Sequence, residues 1–599
     1  MRYIKTLTIA TSIIAAQNID LGTIVVSATK SEQKLSDVTS NIAVITKEEL
    51  EAKHIISVNE ALNYAQGVVV TQYGGLGQLS SIFVRGFSSD NVKVLIDGVV
   101  VNNTTTPGGS AQIQNLNIND IERIEIVKGA QSGIYGANAS GGVINIITKD
   151  ASNTKGINAS LEYGSYDTKK IHLSLANKID KVSFYVSGSY LESDGFSASY
   201  TDKSKDLDDL EDDSYVSSTI NANIKYEITK DDIVEFKYNQ VKADAEYDPY
   251  LFTPPASFIL TDIDGYVTKQ DDFIFYSSYT HKYSDNTYSK IYYSKSLFKS
   301  EHPQEFYKNE GSNKEFGIDN KVTFKNFEFL FGANRLFMKD EVANKTISST
   351  GVYLTTNAKF NNTVATATIR RDHYNKFKDK TTGKIGLKHT FDNGLSVSSN
   401  YATAYKIPSL FAFGTNSSLK PESVKSFDIG FEYKNFSFTY FYNKIEDEFK
   451  YDFMTYSYYN SDKTSKIKGF EIGYKGNIGE NLLYSLNYTR LMARDENGQQ
   501  LLRRPSYVIN FDLDYYGLEN THFNLNAQYI GKRKDFDPIT YASVNTGNFL
   551  VLNASADYKI NDKFSAYVKI NNITDKKYQN VAGYATSGRS VYVGLNAKF

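Results

Sequence analysis

From about residue 156 onward, apolar and polar side chains alternate with a period of two. Ile157, Ala159, Leu161 and Tyr163 alternate with Asn158, Ser160 and Glu162. Val182, Phe184, Val186 and Tyr190 are interleaved with Ser183, Tyr185, Ser187 and Ser189. The same texture returns in Leu552–Ile560 and in Val591–Phe599. Successive residues of a strand point to opposite faces, so each segment has one apolar and one polar side. In a sandwich the apolar side meets a second sheet; in a membrane barrel it meets lipid while the polar side lines a wet lumen. At roughly 20 residues per strand and connection, residues 156–599 make about 22 antiparallel strands, the size class of plugged outer-membrane transporters. Ser193–Ser214 and Pro254–Lys269 read as long outer loops, and Asn361–Asn362, Asp392–Gly394 and Asn561–Asp562 as tight turns.

Before residue 150 the texture differs. Apolar runs at Val92–Ile96, Ile121–Val127 and Val143–Ile147 are separated by glycine-rich turns, and Lys47–Tyr64 reads as one helix. This predicts a small α+β domain ahead of the barrel. At the start, Arg2 and Lys5 precede the apolar stretch Leu7–Ala16, the form of a signal peptide over residues 1–16. Neither that stretch nor any later one reaches the roughly 20 apolar residues a membrane helix needs.

Composition narrows the chemistry. The chain has no Cys, which removes disulfides, thiolate metal sites and cysteine nucleophiles. The net charge of −2 gives no electrostatic basis for nucleic-acid binding. With 46 Tyr and 36 Phe but no Trp, the chain is rich in residues suited to a wall between lipid and water. The histidines form no metal-binding pair, and no nucleophile elbow or catalytic triad order stands out, so an enzyme is not expected.

The motifs GQLSSIFVRGF (77–87), VLIDGVVVN (94–102) and IERIEIVKGAQSGIYGANASGGVINIITK (121–149) resemble the plug of TonB-dependent outer-membrane receptors. Lys406-Ile407-Pro408 with Leu419-Lys420-Pro421-Glu422, the segment Asn571–Tyr578 and the terminal Phe599 resemble the family's barrel motifs. The resemblance implies a signal peptide (1–16), a periplasmic segment (17–32), a plug (33–150) and a transmembrane barrel (155–599) in the outer membrane. It implies a monomer with no catalytic step. Thr23, Ile24, Val25, Val26, Ser27 and Ala28 resemble the Ton box, which recruits TonB by strand addition; alone, such a string could equally be a buried plug strand.

Within the family, TQYGGLGQLSSIFVRG (71–86), LLRRPSYVINFDLDY (501–515) and VAGYATSGR (581–589) resemble the cobalamin-receptor branch. That likeness implies cobalamin as ligand and places Gln72, Tyr73, Leu76, Gln78, Leu79, Ser80 and Asn103 at the substrate surface. The acidic run Asp206, Asp208, Asp209, Glu211, Asp212 and Asp213 reads from its residues as either a solvated loop face or a cation site. The resemblance favours Ca²⁺, matching Glu211, Asp213 and Asp248, with Asp244 nearby and Ser197 where an aspartate is expected. A ferric siderophore or haem is the alternative ligand, with His302 as the histidine a haem receptor would offer. A passive porin or a secreted soluble β-protein is the reading from other classes.

Overall fold

The computed structural model describes residues 24–25, 28–201, 207–253 and 257–599. The expected signal peptide, and Thr23, Val26 and Ser27 of the Ton box, lie outside these residues. Among the described residues no helix is long and apolar enough to cross a membrane. The crossing is made by strands.

Twenty-two antiparallel strands close into a barrel, from Gly156–Gly164 to Ser590–Lys598, and these two strands pair with each other to seal the seam. Closure removes the unpaired edges that lipid would not tolerate. The alternation predicted from sequence decides the faces. Ile171, Leu173 and Leu175 are exposed on the outer wall, while His172, Ser174 and Ala176 between them are buried toward the lumen. Among the described residues five two-stranded sheets stand apart from the barrel ladder; three of them, Tyr250–Thr253 with Ser257–Leu260, Phe449–Asp452 with Ser457–Asn460, and Arg533–Phe536 with Ser543–Thr546, rise from its outer loops. The outer loop expected at Pro254–Lys269 ends earlier, because Val267 already begins a long barrel strand.

The lumen holds a domain built on a five-stranded mixed sheet. Its strands run in the order Ile42–Thr46, Ile121–Lys128, Gly142–Thr148, Val92–Ile96 and Val99–Val100. Ile124, Ile126, Val94 and Ile144 form its core, and Ile274, Tyr276 and Phe298 of the barrel wall join the same cluster. Each such side chain contributes about 1.5–3 kcal/mol when fully buried.

The single helix expected over Lys47–Tyr64 is two, Lys47–Ala52 and Val58–Asn63. His54 takes a left-handed φ of 46°, which ends the first helix. The Ser57 side chain then caps the second by accepting from the Glu60 amide.

Around its sheet the plug meets the wall mainly through polar groups. Asn400 Nδ2 donates to the Thr39 carbonyl at 2.7 Å, Gln66 Nε2 to the Ile472 carbonyl at 2.8 Å, and Tyr185 OH to Asp120 Oδ1 at 2.7 Å. Asn400, Tyr185 and Asp120 are buried, so parting plug from wall requires water to enter and replace these bonds.

Candidate functional site

The outer face of the plug and the loops above it form one continuous site. Its floor is the loop between strands Val68–Gln72 and Ser80–Val84. Gly77 sits at φ +74° against the wall, where a Cβ would stand 2.7 Å from the Ala245 Cβ. Only a glycine lets the loop rise so close to the barrel.

The predicted substrate residues do not behave alike. Leu79 is 52% exposed. Tyr73 reaches up to the outer loops: its hydroxyl bonds the Arg503 guanidinium, whose carbon lies 5.0 Å from the Tyr73 ring centre. Tyr584 packs edge-on against Tyr73 at 5.0 Å. Leu76 packs into the wall cluster of Leu191, Tyr215, Ala243 and Ala245. Gln72 donates to the Gly75 carbonyl and Gln78 to that of Glu246. Ser80 donates to Asn59 at 3.3 Å, and Asn103 donates to Asn309 at 3.2 Å. Gln78, Ser80 and Asn103 are buried in these contacts.

Arg503, Asp535 and Tyr584 were not singled out from the sequence, although Arg503 and Tyr584 lie within the stretches 501–515 and 581–589. Arg503 Nε donates to Asp535 Oδ1 at 2.9 Å. The fully buried Asp535 also accepts from the amides of Phe536 and Ala582, both at 2.9 Å. Three outer loops, carrying Arg503, Asp535 and Ala582 with Tyr584, and the plug apex therefore meet at one charged centre.

Beside it stands the acidic group. Ligand oxygens of Glu211, Asp213 and Asp248 lie within 4.8 Å of one another. The segment Ser197–Ser199 holds them: the Ala198 amide donates to Asp213 Oδ2 and the Ser199 amide to Asp248 Oδ2, both at 2.6 Å. Ser197 Oγ lies 3.1 Å from Asp248 and 3.2 Å from Asp262, a fourth carboxylate that sequence reasoning missed. Burial and mutual repulsion push Glu211 up to about 9 and Asp213 up to about 8. Glu211 Oε1 is buried with no hydrogen-bond partner. An all-oxygen donor set with an orphaned carboxylate oxygen fits a hard divalent cation. Asp244 stands apart: it is exposed on the outer wall and pairs with Lys269 at 3.8 Å. The Asp206 position and the Asp208 side chain lie outside the described residues.

Ala198 also packs with Tyr584, Val581 and Leu260, against which Tyr73 rests. The acidic group and the plug apex thus share a wall. His302 is engaged nearby, its Nδ1 3.3 Å from Thr268 Oγ1, its Nε2 3.3 Å from Ser300 Oγ and its ring edge-on to Tyr247.

At the opposite end, Ile24–Val25 pairs antiparallel with Gln33–Lys34. Val25 and Ala28 are buried with Val38, against Leu35, Ile42 and Val44.

A lipid-facing barrel stoppered by a folded domain, with a built site on its outer side, defines a gated outer-membrane receptor. The chain belongs to the TonB-dependent receptors. Residues 150–573 match the TonB dependent receptor-like β-barrel and residues 34–143 the TonB-dependent receptor plug domain. Among solved structures it is similar to a ferric enterobactin receptor variant from Pseudomonas aeruginosa in complex with enterobactin, with TM-score 0.78 and 16% identity over 94% of this chain and 100% of that one. It is also similar to the P. aeruginosa receptor FpvA bound to heterologous pyoverdines, with TM-score 0.79 and 16% identity over 97% and 90%. The siderophore receptor PirA from Acinetobacter baumannii matches with TM-score 0.77 and 18% identity over 93% and 98%.

Proposed function

We propose that this receptor imports a cobalamin-type corrinoid across the outer membrane, with calcium ordering its outer loops. The observation that carries the reading is the Glu211–Asp213–Asp248 group, three carboxylates gathered from two outer loops onto the segment that packs against Tyr73 and Tyr584. A bound cation would supply the positive charge these carboxylates lack and tie the two loops together over the plug apex. Glu211, Asp213 and Asp248 would hold it, with Asp262 and Ser197 beside them.

The Ton box reading assigns Thr23–Ala28 to TonB. An extended segment pairs with a partner's strand largely through its backbone, so force can pass along it. Energy is required because tight capture opposes release: a nanomolar complex holds about 12 kcal/mol.

Equilibrium titration of the purified protein with cyanocobalamin, with calcium and with a chelator, tests the reading. Saturable, calcium-strengthened binding is expected. Absence of binding in both conditions removes the corrinoid assignment.

A ferric-siderophore ligand is the second reading. Its support is cationic: Arg503, Arg504 and Arg533 gather on the outer loops, with Arg504 over the Phe83 ring at 4.6 Å and Arg533 Nη1 buried without a hydrogen-bond partner. The named ligands of the similar structures, enterobactin and pyoverdine, point the same way. The same titration with ferric catecholate and ferric hydroxamate chelates separates the two.

A further inference from the structure

Charged residues stand on the outer wall just beyond its apolar band, and on one arc of it they neutralise one another. Across the four strands from Asp232–Glu246 to Tyr307–Phe324, the cross-strand row Asp244, Lys269, Glu301, Lys308 alternates in sign. The next row, Lys242, Asp271, Lys299, Glu310, alternates in the opposite phase. Ion pairs follow, including Lys242–Asp271 at 3.7 Å, Lys299–Glu301 at 3.1 Å and Lys308–Glu310 at 3.3 Å.

On the strands Glu422–Tyr433, Phe436–Glu446, Ser465–Ile478 and Leu482–Arg494 the rule is broken. Lys425 stands directly opposite Lys444, Lys444 opposite Lys466, and Lys466 opposite Arg494. Lys468 lies one outward position below, opposite Tyr442. Like charges placed directly opposite one another destabilise a sheet. The row is roughly 14 Å across, three strand spacings. Among the described residues the one carboxylate at this row is Glu446, 2.6 Å from Lys444 and also attracted to Lys425; Lys466, Lys468 and Arg494 have no ion pair within 4 Å.

These cations face away from the lumen. Their chain neighbours Val424, Ile445, Ile467 and Ala493 are buried against Phe87 and Ala130 of the plug. Period two therefore turns Lys425, Lys444, Lys466 and Arg494 outward. Beneath them the outward positions are Phe427, Tyr442, Lys468 and Met492, then Ile429, Tyr440, Phe470 and Arg490, then Phe431 and Ile472. A girdle of aromatics over an aliphatic band marks the edge of the hydrocarbon region. The row thus lies at headgroup height.

We propose that this face binds an outer-leaflet lipid whose headgroup carries two or more phosphates, its acyl chains lying on the aromatic and aliphatic band below. Clustered phosphates supply the anions the row lacks, and several lysines side by side match several phosphate groups better than the single phosphate of an ordinary phospholipid. The geometry asks for a lipid because the cations sit directly above the surface that acyl chains would cover.

The test uses the full chain in zwitterionic bilayer discs doped with bis-phosphorylated lipid A, with its monophosphorylated form, or with its dephosphorylated form. Retained lipid is counted by native mass spectrometry and affinity is read by titration. The variant K425Q/K444Q/K466Q/R494Q keeps the wall's polarity and removes the charge. The control K242Q/K269Q/K299Q/K308Q removes as many charges from the sign-alternating rows. Folding of both is read from heat-modifiable gel mobility, and K466Q alone replaces the quadruple variant if that fails to fold. Expected is about tenfold or greater loss of affinity for the bis-phosphorylated lipid in the first variant, several-fold in K466Q, and little change in the control. Equal losses in both, no loss in either, or affinity independent of phosphate number overturns the proposal. Inorganic pyrophosphate binding as tightly as the lipid would make this a soluble-anion site and overturn it too.

Discussion

Arg85 of the plug and Glu471 of the barrel wall form a two-pronged ion pair, Nε to Oε1 at 3.0 Å and Nη2 to Oε2 at 2.8 Å, with both side chains 1% exposed. Lys128 adds a third contact to the same carboxylate at 3.1 Å. Arg85 holds a left-handed φ of 49°, a strained conformation for a residue with a Cβ. Gly67 lies against the Glu471 carboxylate, where a Cβ would collide with it. The pair is one of several ion pairs between plug and wall, beside Lys406–Asp90 at 2.5 Å and Lys569–Glu60 at 2.8 Å, and both of its side chains are withdrawn from water.

Removing one side leaves the other two charges buried with too little compensation. Breaking such a pair costs about 3–5 kcal/mol. Glu471→Gln is therefore expected to speed hydrogen exchange of plug amides in Ser80–Val84 and Ile121–Lys128 while the barrel ladder keeps its protection. Unchanged exchange in the plug would show that the pair carries no load.

The inner end makes a second expectation. The backbone edge that Ile24–Val25 would offer a partner is already paired with Gln33–Lys34, and Val25 is anchored beside Val38. One edge cannot hold two strands at once. Val38→Asp places a charge in that apolar cluster, which costs enough to shift the segment toward release. Capture of TonB by the unliganded receptor should rise severalfold, measured by pull-down. Deleting Thr23–Ala28 should abolish uptake and leave ligand binding intact; uptake that survives the deletion would refute the assignment.

Tyr73 offers a test of the outer site. It is the plug residue that touches both Arg503 and Tyr584. Tyr73→Ala removes the ring and its cation contact, and should weaken ligand binding by about tenfold or more. Tyr73→Phe loses only the hydroxyl and should cost less. Equal affinities for all three proteins in an equilibrium titration would place the ligand elsewhere.

Much of this architecture was legible because period-two alternation is enforced at each strand by lipid on one side and plug or water on the other. Leu161 and Glu162 read as opposite faces from sequence and are so in space, the first exposed and the second buried. The break at His54 was not legible, since Ile55 and Ile56 continue an apolar run and only the backbone turn ends the helix. Glu211, Asp213 and Asp248 could be marked by likeness, and the fold gathers them. Asp262 could not, because its place depends on how a later loop folds back onto Ser197. The same holds for Arg503: its stretch was noticed, but its contact with Tyr73 spans 430 residues.

The acidic group gives the pH dependence its sign. Glu211 rises from 4.5 to about 9 and Asp213 from 3.8 to about 8, through burial and the neighbouring carboxylates. Below about pH 4 folded and unfolded loops both bind these protons and there is no penalty. As pH rises toward 8 and 9 the unfolded chain has already ionised while the folded loop keeps its protons, so local stability falls and then levels off. A divalent cation binds the ionised oxygens, so it must displace those protons. Its affinity should therefore rise with pH up to about 9. Calcium binding at pH 7 should release protons, seen as a buffer-dependent heat in calorimetry. Loop hydrogen exchange over residues 207–214 should slow once the ion is present. Glu211→Gln should remove about half of the proton release, because Asp213 keeps its own raised value, and weaken calcium at least severalfold; a heat that is the same in every buffer would show that the carboxylates were ionised from the start.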